Sequence, residues 1–164
     1  MGASPHERWR LPASVVTLGW VSFLTDVASE MVYPVIPLFL ASTLGVPVVV
    51  LGIVEGVAEA VVNVVKGLSG WHSDRLGRRV PYIRWGYGLG ALAKPLLALA
   101  VSWPLVLLAR CVDKLGKGLR TSARDALIAD CVKPAQGGRA YGFHRMMDTA
   151  GAMVGVLVAS GLLA

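Results

Sequence analysis

Ionisable side chains recur inside stretches that are otherwise apolar, and their spacing is the first chemical signal in this sequence. Asp26 and Glu30 are four residues apart, and Glu55 and Glu59 repeat that spacing. Residues four apart lie on one face of an α-helix. A carboxylate on a sheltered helix face can exchange a proton or hold a cation, so Asp26 and Glu30 are candidates for proton or cation coupling.

A basic row further along the chain has the opposite chemistry. Its members follow positions i, i+4, i+7, i+11 and i+14, which make a single face of a helix. Ammonium and guanidinium groups on such a face can bind an anion, and they complement the acidic face that carries Asp26 and Glu30. The two faces together predict a helical bundle with a polar lumen between them. The row consists of Arg110, Lys114 (or the adjacent Asp113), Lys117, Thr121 and Arg124.

The composition indicates that these charges belong to a membrane protein. The 164 residues are 55% hydrophobic and only 16% charged, whereas soluble domains carry about 25% charged residues. The basic residues behind the net charge of +6 alternate with apolar runs, and aromatic residues are few, so nucleic acid is not expected as a partner. A charge at the bilayer centre costs about 2.5–3.5 kcal/mol on insertion scales, so these groups must face one another or a water-filled cavity.

Basic and uncharged connections alternate along the chain, which predicts five spans. Three Arg lie in 70–79 and a Lys and an Arg lie in 133–139, whereas 43–47 and 102–104 carry no charge. Because short cytoplasmic loops are enriched in Lys and Arg, the N-terminus is predicted on the cytoplasmic side of the inner membrane. The predicted parts are a cytoplasmic tail at 1–10 and a transmembrane bundle at 11–164, with helices at about 12–42, 48–69, 81–101, 105–131 and 140–164.

Other residues inside these spans are interpreted as structural. Pro34 and Pro37 predict a kink late in the first span. Lys94 is expected to pair with a local carboxylate such as Glu59. His144 is interpreted as a hydrogen-bonding residue, with proton transfer kept as the alternative. The two cysteines have no metal-ligand spacing, and neither a metal nor a cofactor is expected.

The stretch 70–79 reads Gly-Trp-His-Ser-Asp-Arg-Leu-Gly-Arg-Arg and joins the second and third predicted helices. It resembles the signature between helices 2 and 3 of the major facilitator superfamily: glycine, three residues, aspartate, arginine, one residue, glycine and two basic residues. The resemblance extends over essentially the whole chain, although His72 and Ser73 differ from the usual leucine and alanine. It implies an all-α membrane protein, a major-facilitator-type helical bundle that corresponds to the N-terminal half without its sixth helix.

In that family, contacts at the signature hold the two halves in the outward-facing state. The resemblance therefore implies a conformational role for this stretch. Asp74 is expected to cap a helix end or to pair with one of the following arginines, and its glycines are expected to allow tight turns. The residues concerned are Gly70, Asp74, Arg75, Gly77, Arg78 and Arg79.

The resemblance implies a secondary active transporter that moves a small solute by alternating access, coupled to protons or another cation. The implied partners are membrane lipid, a small-molecule or ion substrate, and a second half-bundle, either a missing C-terminal half or another copy. The alternative is a non-transporting membrane assembly or receptor, and the absence of a nucleophile–base motif argues against an enzyme. The basic row favours an anionic or zwitterionic substrate, and the first acidic pair favours a cation. The residues expected at the coupling or substrate cavity are Asp26, Glu30, Tyr33, Arg110, Asp113, Lys114, Lys117, Arg124 and Asp148.

Overall fold

The computed structural model describes residues 11–163, which are helical almost throughout and contain no strand. The all-α membrane fold is confirmed, and the tail predicted at 1–10 lies outside the described residues. The helices are α1 (Ala13–Val32), α2 (Val35–Leu38) continued by a π-helical turn (Phe39–Thr43), α3 (Val48–Leu76), α4 (Val80–Ala98), α5 (Trp103–Cys131), a 3-10 turn (Pro134–Gln136) and α6 (Gly137–Leu163).

The first predicted span is interrupted where its prolines lie. α1 ends at Val32, and α2 begins at Val35, directly after Pro34. A proline has no amide hydrogen to donate to the preceding turn, so the helical hydrogen bonds are broken there. By length and composition, the segments Ala13–Thr43, Val48–Leu76 and Pro134–Leu163 could each cross a membrane.

Two compact units make up the chain, and each is described by itself. The central unit is Val32–Leu127, and the terminal unit combines Met1–Met31 with Ile128–Ala164. In the terminal unit α1 and α6 run parallel, because sequence numbers rise together along their contact. A methyl group on Gly151 would lie 2.5 Å from the Phe23 carbonyl oxygen, and one on Gly155 would lie 2.6 Å from that of Val27.

In the central unit, α3 and α5 are also parallel, and α4 runs antiparallel to α5. Glu55 contacts Arg110 and Glu59 contacts Lys114, so both pairs have the same sequence offset. Gly86 of α4 lies against Arg120, and Gly90 lies nearer Asp113. α4 therefore returns between two parallel helices, as successive crossings of a bilayer require. α4 and α5 are not among the segments that could cross a membrane by length and composition, so the spans predicted at 81–101 and 105–131 stay predictions.

One end of the central unit is closed by an apolar cluster. Its members come from α2 and the π-helical turn that continues it, the first part of α3, the turn after α4 and the start of α5. They lie at the end that bears the uncharged turns. Burial of such side chains contributes roughly 25 cal/mol per Å² of apolar area. The buried members are Ile36, Leu40, Val54, Ala100 and Val106.

The signature stretch is more helical than the sequence predicts. α3 continues seven residues beyond the predicted end at 69 and ends at Leu76, where Gly77 adopts a left-handed φ of 62°. The Gly77 amide donates to the Asp74 carbonyl at 3.3 Å, which closes the helix end. Gly70 lies inside α3, and a methyl group there would be 3.2 Å from Ser122 Cβ. The expected turn at Gly70 is therefore wrong, because this glycine gives α5 a close approach instead.

Glycines at the α4–α5 crossing give a testable prediction. A methyl group on Gly86 would lie 2.7 Å from the Gly116 carbonyl oxygen, whereas one on Gly88 would meet nothing within 4 Å. We expect Gly86→Ala to destabilise the protein by about 1–3 kcal/mol through overpacking. Gly88→Ala is the matched control, and thermal unfolding of the complete protein in detergent is the measurement. Equal melting temperatures for the two variants would contradict the close crossing.

Candidate functional site: the charged contact between α3 and α5

The site depends on a close approach of α3 and α5, which Gly118 permits. A methyl group on Gly118 would lie 2.9 Å from Val65 Cβ and 3.0 Å from the Val62 carbonyl oxygen. Small residues allow helix backbones to pack closely in lipid. The Ser69 hydroxyl donates to the Gly118 carbonyl at 3.1 Å, so a hydrogen bond joins the two helices at this point.

Arg110 is the most extensively compensated charge of the basic row. Its Nε donates to Glu55 Oε1 at 3.0 Å, and its Nη2 donates to Glu55 Oε2 at 2.6 Å. Its guanidinium carbon lies 5.3 Å from the centroid of the Tyr33 ring, and Nη1 lies 4.0 Å from Asp113 Oδ2. The Arg110 side chain is only 7% exposed, so its charge lies in a buried, bidentate salt bridge with Glu55.

Lys114, one helical turn after Arg110 on α5, forms the second ion pair of this contact. Its Nζ donates to Glu59 Oε2 at 2.5 Å. The basic row therefore has its carboxylate partners on α3, since the i, i+4 spacing of both sets matches in parallel helices. The local carboxylate beside Lys94 is Asp113 at 3.7 Å, rather than Glu59, which Lys114 engages.

The remaining residues of the predicted cavity are divided between the two units. Tyr33 and Asp113 contact Arg110 in the central unit, where Lys117 is exposed. Arg124 lies in the same unit, with its Nε 3.6 Å from Asp125 Oδ1. Three further carboxylates lie in the terminal unit, and their association with the basic row stays a prediction. These are Asp26, Glu30 and Asp148.

In the terminal unit, Asp148 lies between two basic side chains of its own helix. Asp148 Oδ1 is 3.4 Å from His144 Nδ1, and Asp148 Oδ2 is 3.8 Å from Arg145 Nη1. The His144 side chain is buried, and Arg145 is exposed. Asp148 is thus the neighbouring carboxylate of His144, whereas His144 Nε2 is buried without a hydrogen-bond partner in the described part of the chain. The interpretation of this histidine as a hydrogen-bonding residue stays a prediction.

Sequence reasoning missed a buried cation, Arg120. Its guanidinium carbon lies 4.8 Å from the centroid of the Tyr87 ring, and the residue is 3% exposed. The signal was the glycine-rich face of α4, because an arginine can only be buried against a helix that leaves room for it. Gly86 and Gly90 provide that room.

The signature stretch forms its own small network at the α3–α4 corner. Asp74 pairs with Arg79, one of the two expected partners, and Arg79 Nη1 also donates to the Ser73 hydroxyl at 3.1 Å. Arg75 stacks over Trp71 at 5.6 Å from the ring centroid. Gly77 forms the turn, and Arg78 follows it. Within residues 11–163, no group of His, Cys, Asp or Glu is arranged to hold a metal ion.

Together, the fold and the site define a multi-pass α-helical membrane protein with ion pairs inside its spans. A sequence profile of the Major Facilitator Superfamily matches residues 18–164. The chain belongs to that superfamily, as the signature stretch predicted.

Curated relatives agree with this assignment. The chain is 36% identical over 145 residues to "Uncharacterized MFS-type transporter MJ1317" of Methanocaldococcus jannaschii, which covers 88% of this chain and 36% of that protein. It is 33% identical over 156 residues to "Uncharacterized protein Rv2265" of Mycobacterium tuberculosis, covering 95% and 37%. It is 35% identical over 134 residues to "Multidrug resistance protein MdtH" of Cronobacter sakazakii, covering 81% and 33%. The chain spans about a third of the length of these relatives.

The two ion pairs of the α3–α5 contact differ in burial, and this difference gives a testable prediction. Glu55→Gln leaves the buried Arg110 without its main ion-pair partner. We expect this substitution to lower the free energy of unfolding by about 3 kcal/mol. Glu59 is 57% exposed, so Glu59→Gln is the matched control and should cost less than about 1 kcal/mol. The double variant Glu55→Gln/Arg110→Gln should recover part of the loss. Thermal unfolding of the complete protein measures all three, and a larger effect at Glu59 would contradict the geometry.

Proposed function

We propose that this protein is a secondary active transporter that moves a small solute across the cytoplasmic membrane by alternating access. The chain supplies one half-bundle, and a second half-bundle, either a C-terminal half or another copy, completes the pathway between them. Membrane lipid surrounds the helices, and no chemical conversion of the solute is involved. The family membership and the names of two relatives, an MFS-type transporter and a multidrug resistance protein, support transport as the activity.

The observation that carries the proposal is the set of ion pairs inside the spans. Glu55 pairs with Arg110, Glu59 with Lys114, and Lys94 lies near Asp113. Apolar side chains would pack helices at no greater cost than buried ion pairs, so these charges are better explained by a function that uses them. Intramembrane ionisable residues mark substrate and ion pathways.

The pairs also suit a two-state mechanism. A carboxylate that binds a proton or a cation loses its attraction for a neighbouring arginine or lysine, so the pair can separate and reform. We assign the coupling ion to Asp26 and Glu30 of α1, and we assign substrate contact or pair exchange to Arg110, Lys114 and Lys117. The apolar cluster at the opposite end from the basic turns limits water access from that side.

The orientation can be tested by labelling. We expect Arg75→Cys, in a background with Cys111→Ser and Cys131→Ser, to react with a membrane-impermeant maleimide only from the cytoplasmic side. Ser102→Cys, in the uncharged turn before α5, should react only from the other side. Labelling of intact cells and of inverted vesicles provides the comparison. Reaction of position 75 in intact cells would overturn the orientation.

Coupling can be tested in proteoliposomes containing the complete protein and a pH-sensitive dye. We expect solute-dependent dye quenching in the wild type and at least a tenfold loss of the coupled signal in Asp26→Asn and Glu30→Gln, because neither amide can carry the proton. Asp130→Asn, near the end of α5, is the control and should retain the signal. Unchanged coupling in both α1 variants would remove them from the mechanism. A wild type that binds solute without any flux would favour a receptor or assembly protein.

A further inference from the structure

The contact between α3 and α5 has two edges with opposite chemistry. On one edge, apolar side chains of both helices line a cavity of about 390 Å³, and this edge suits contact with lipid. The other edge, which we name the polar edge, carries the ion pairs. Charged groups in a span do not face lipid, so the polar edge must face water or polar groups. The apolar edge includes Val65, Leu68, Leu115 and Leu119.

The polar edge extends beyond the two ion pairs. On α3, Asn63 and Lys66 follow Glu59 at i+4 and i+7, and on α5, Lys117 and Thr121 follow Lys114 at i+3 and i+7. These spacings keep each set on one helix face. The polar edge therefore continues along both helices in the same direction, towards the ends that carry the basic turns.

The charges along the polar edge do not balance. Glu55 and Glu59 are each engaged by a cation of α5. Lys66 and Lys117 are both exposed, and within residues 11–163 neither forms a salt bridge, although the charge of Lys117 also acts on Glu59. The Thr121 hydroxyl donates to the Lys117 carbonyl and the Asn63 amide donates to that of Glu59, so these neutral neighbours contribute no countercharge. Four cations against two carboxylates leave a net charge of +2 along the polar edge.

The helix register places these two lysines within reach of one small ligand. The Ser122 hydroxyl donates to the Lys66 carbonyl at 2.8 Å, so Lys66 is level with Ser122 on the neighbouring helix. Lys117 is five residues earlier on α5, which is about 7.5 Å along the axis. A lysine stem is a flexible chain of four carbons, so both ammonium groups can approach a single ligand.

We propose that Lys66 and Lys117 bind the transported solute and that this solute is a dianion, carrying either a phosphate monoester or two carboxylates. The inference rests on the proposed transport function and names its substrate class. Arg110 and Lys114 then take the role of pair exchange rather than substrate contact, because carboxylates already neutralise their charges. The two lysines attract the solute, and only a negatively charged solute neutralises them.

The local charge is tested with thiol reagents in the complete protein. Asn63→Cys, in the Cys111→Ser/Cys131→Ser background, places a thiol between the lysines, and Thr121→Cys offers a second position should the first variant not fold. The probes are anionic 2-sulfonatoethyl methanethiosulfonate and cationic trimethylammonioethyl methanethiosulfonate, each rate being divided by its rate with a free thiol. We expect the anionic reagent to be favoured by roughly tenfold.

The lysines are then removed by Lys66→Gln/Lys117→Gln. In this variant the ratio of the normalised anionic rate to the normalised cationic rate should fall close to one. Lys133→Gln, beyond the end of α5, is the control and should leave the ratio unchanged. Succinate and glycerol 3-phosphate, at constant ionic strength, should slow the reaction in the protein with both lysines, whereas succinamide should not. Protection by one of the two anions identifies which dianion chemistry is accepted.

Preference for the cationic reagent, an unchanged ratio in the lysine variant, or protection by neither anion would overturn this inference. Its failure is separable from that of the proposed function. Solute-dependent flux together with a reversed reagent preference would leave a transporter with a different substrate class. A high ratio with anion protection but no flux would leave an anion site in a protein that does not transport.

Discussion

An arginine inside a membrane span is stable only when a carboxylate neutralises it, and the central unit depends on that condition at Arg110. Both oxygens of Glu55 accept hydrogen bonds from its guanidinium, and the Tyr33 ring lies beside it. The arrangement requires α3 and α5 to be parallel and in a fixed register. A shift by one residue would move Glu55 away from Arg110 and would also separate Glu59 from Lys114.

The helix contacts that maintain this register are made by residues without large side chains. Gly118 allows α3 to approach α5, and Gly86 with Gly116 allows α4 to approach the same helix. Hydroxyl groups of Ser69 and Ser122 donate to carbonyl oxygens across the α3–α5 contact. Because lipid provides no hydrophobic drive for helix association, close packing and hydrogen bonds must hold the helices together. The same contacts separate an apolar edge from a polar edge.

Much of the fold was predictable from the sequence because membrane insertion imposes strong local constraints. Apolar runs, uncharged turns and the prolines at 34 and 37 indicated the spans and the interruption of the first one. The signature stretch indicated the superfamily. The end of α3 was less predictable, since residues 70–76 form a helix readily and a glycine such as Gly70 serves equally in a turn or in a helix contact. Of the two glycines, Gly77 and not Gly70 has the left-handed backbone that ends the helix.

The sequence by itself determined which residues share a helix face, since that follows from 3.6 residues per turn. It therefore grouped Glu55 with Glu59 and aligned Arg110, Lys114 and Lys117 on one helix face. The tertiary structure alone decided which helix faces contact one another, because helix direction and register depend on packing between residues more than thirty positions apart. The pairing of α3 carboxylates with α5 cations, the burial of Arg120 on Tyr87 and the exposure of Lys66 and Lys117 all follow from that packing.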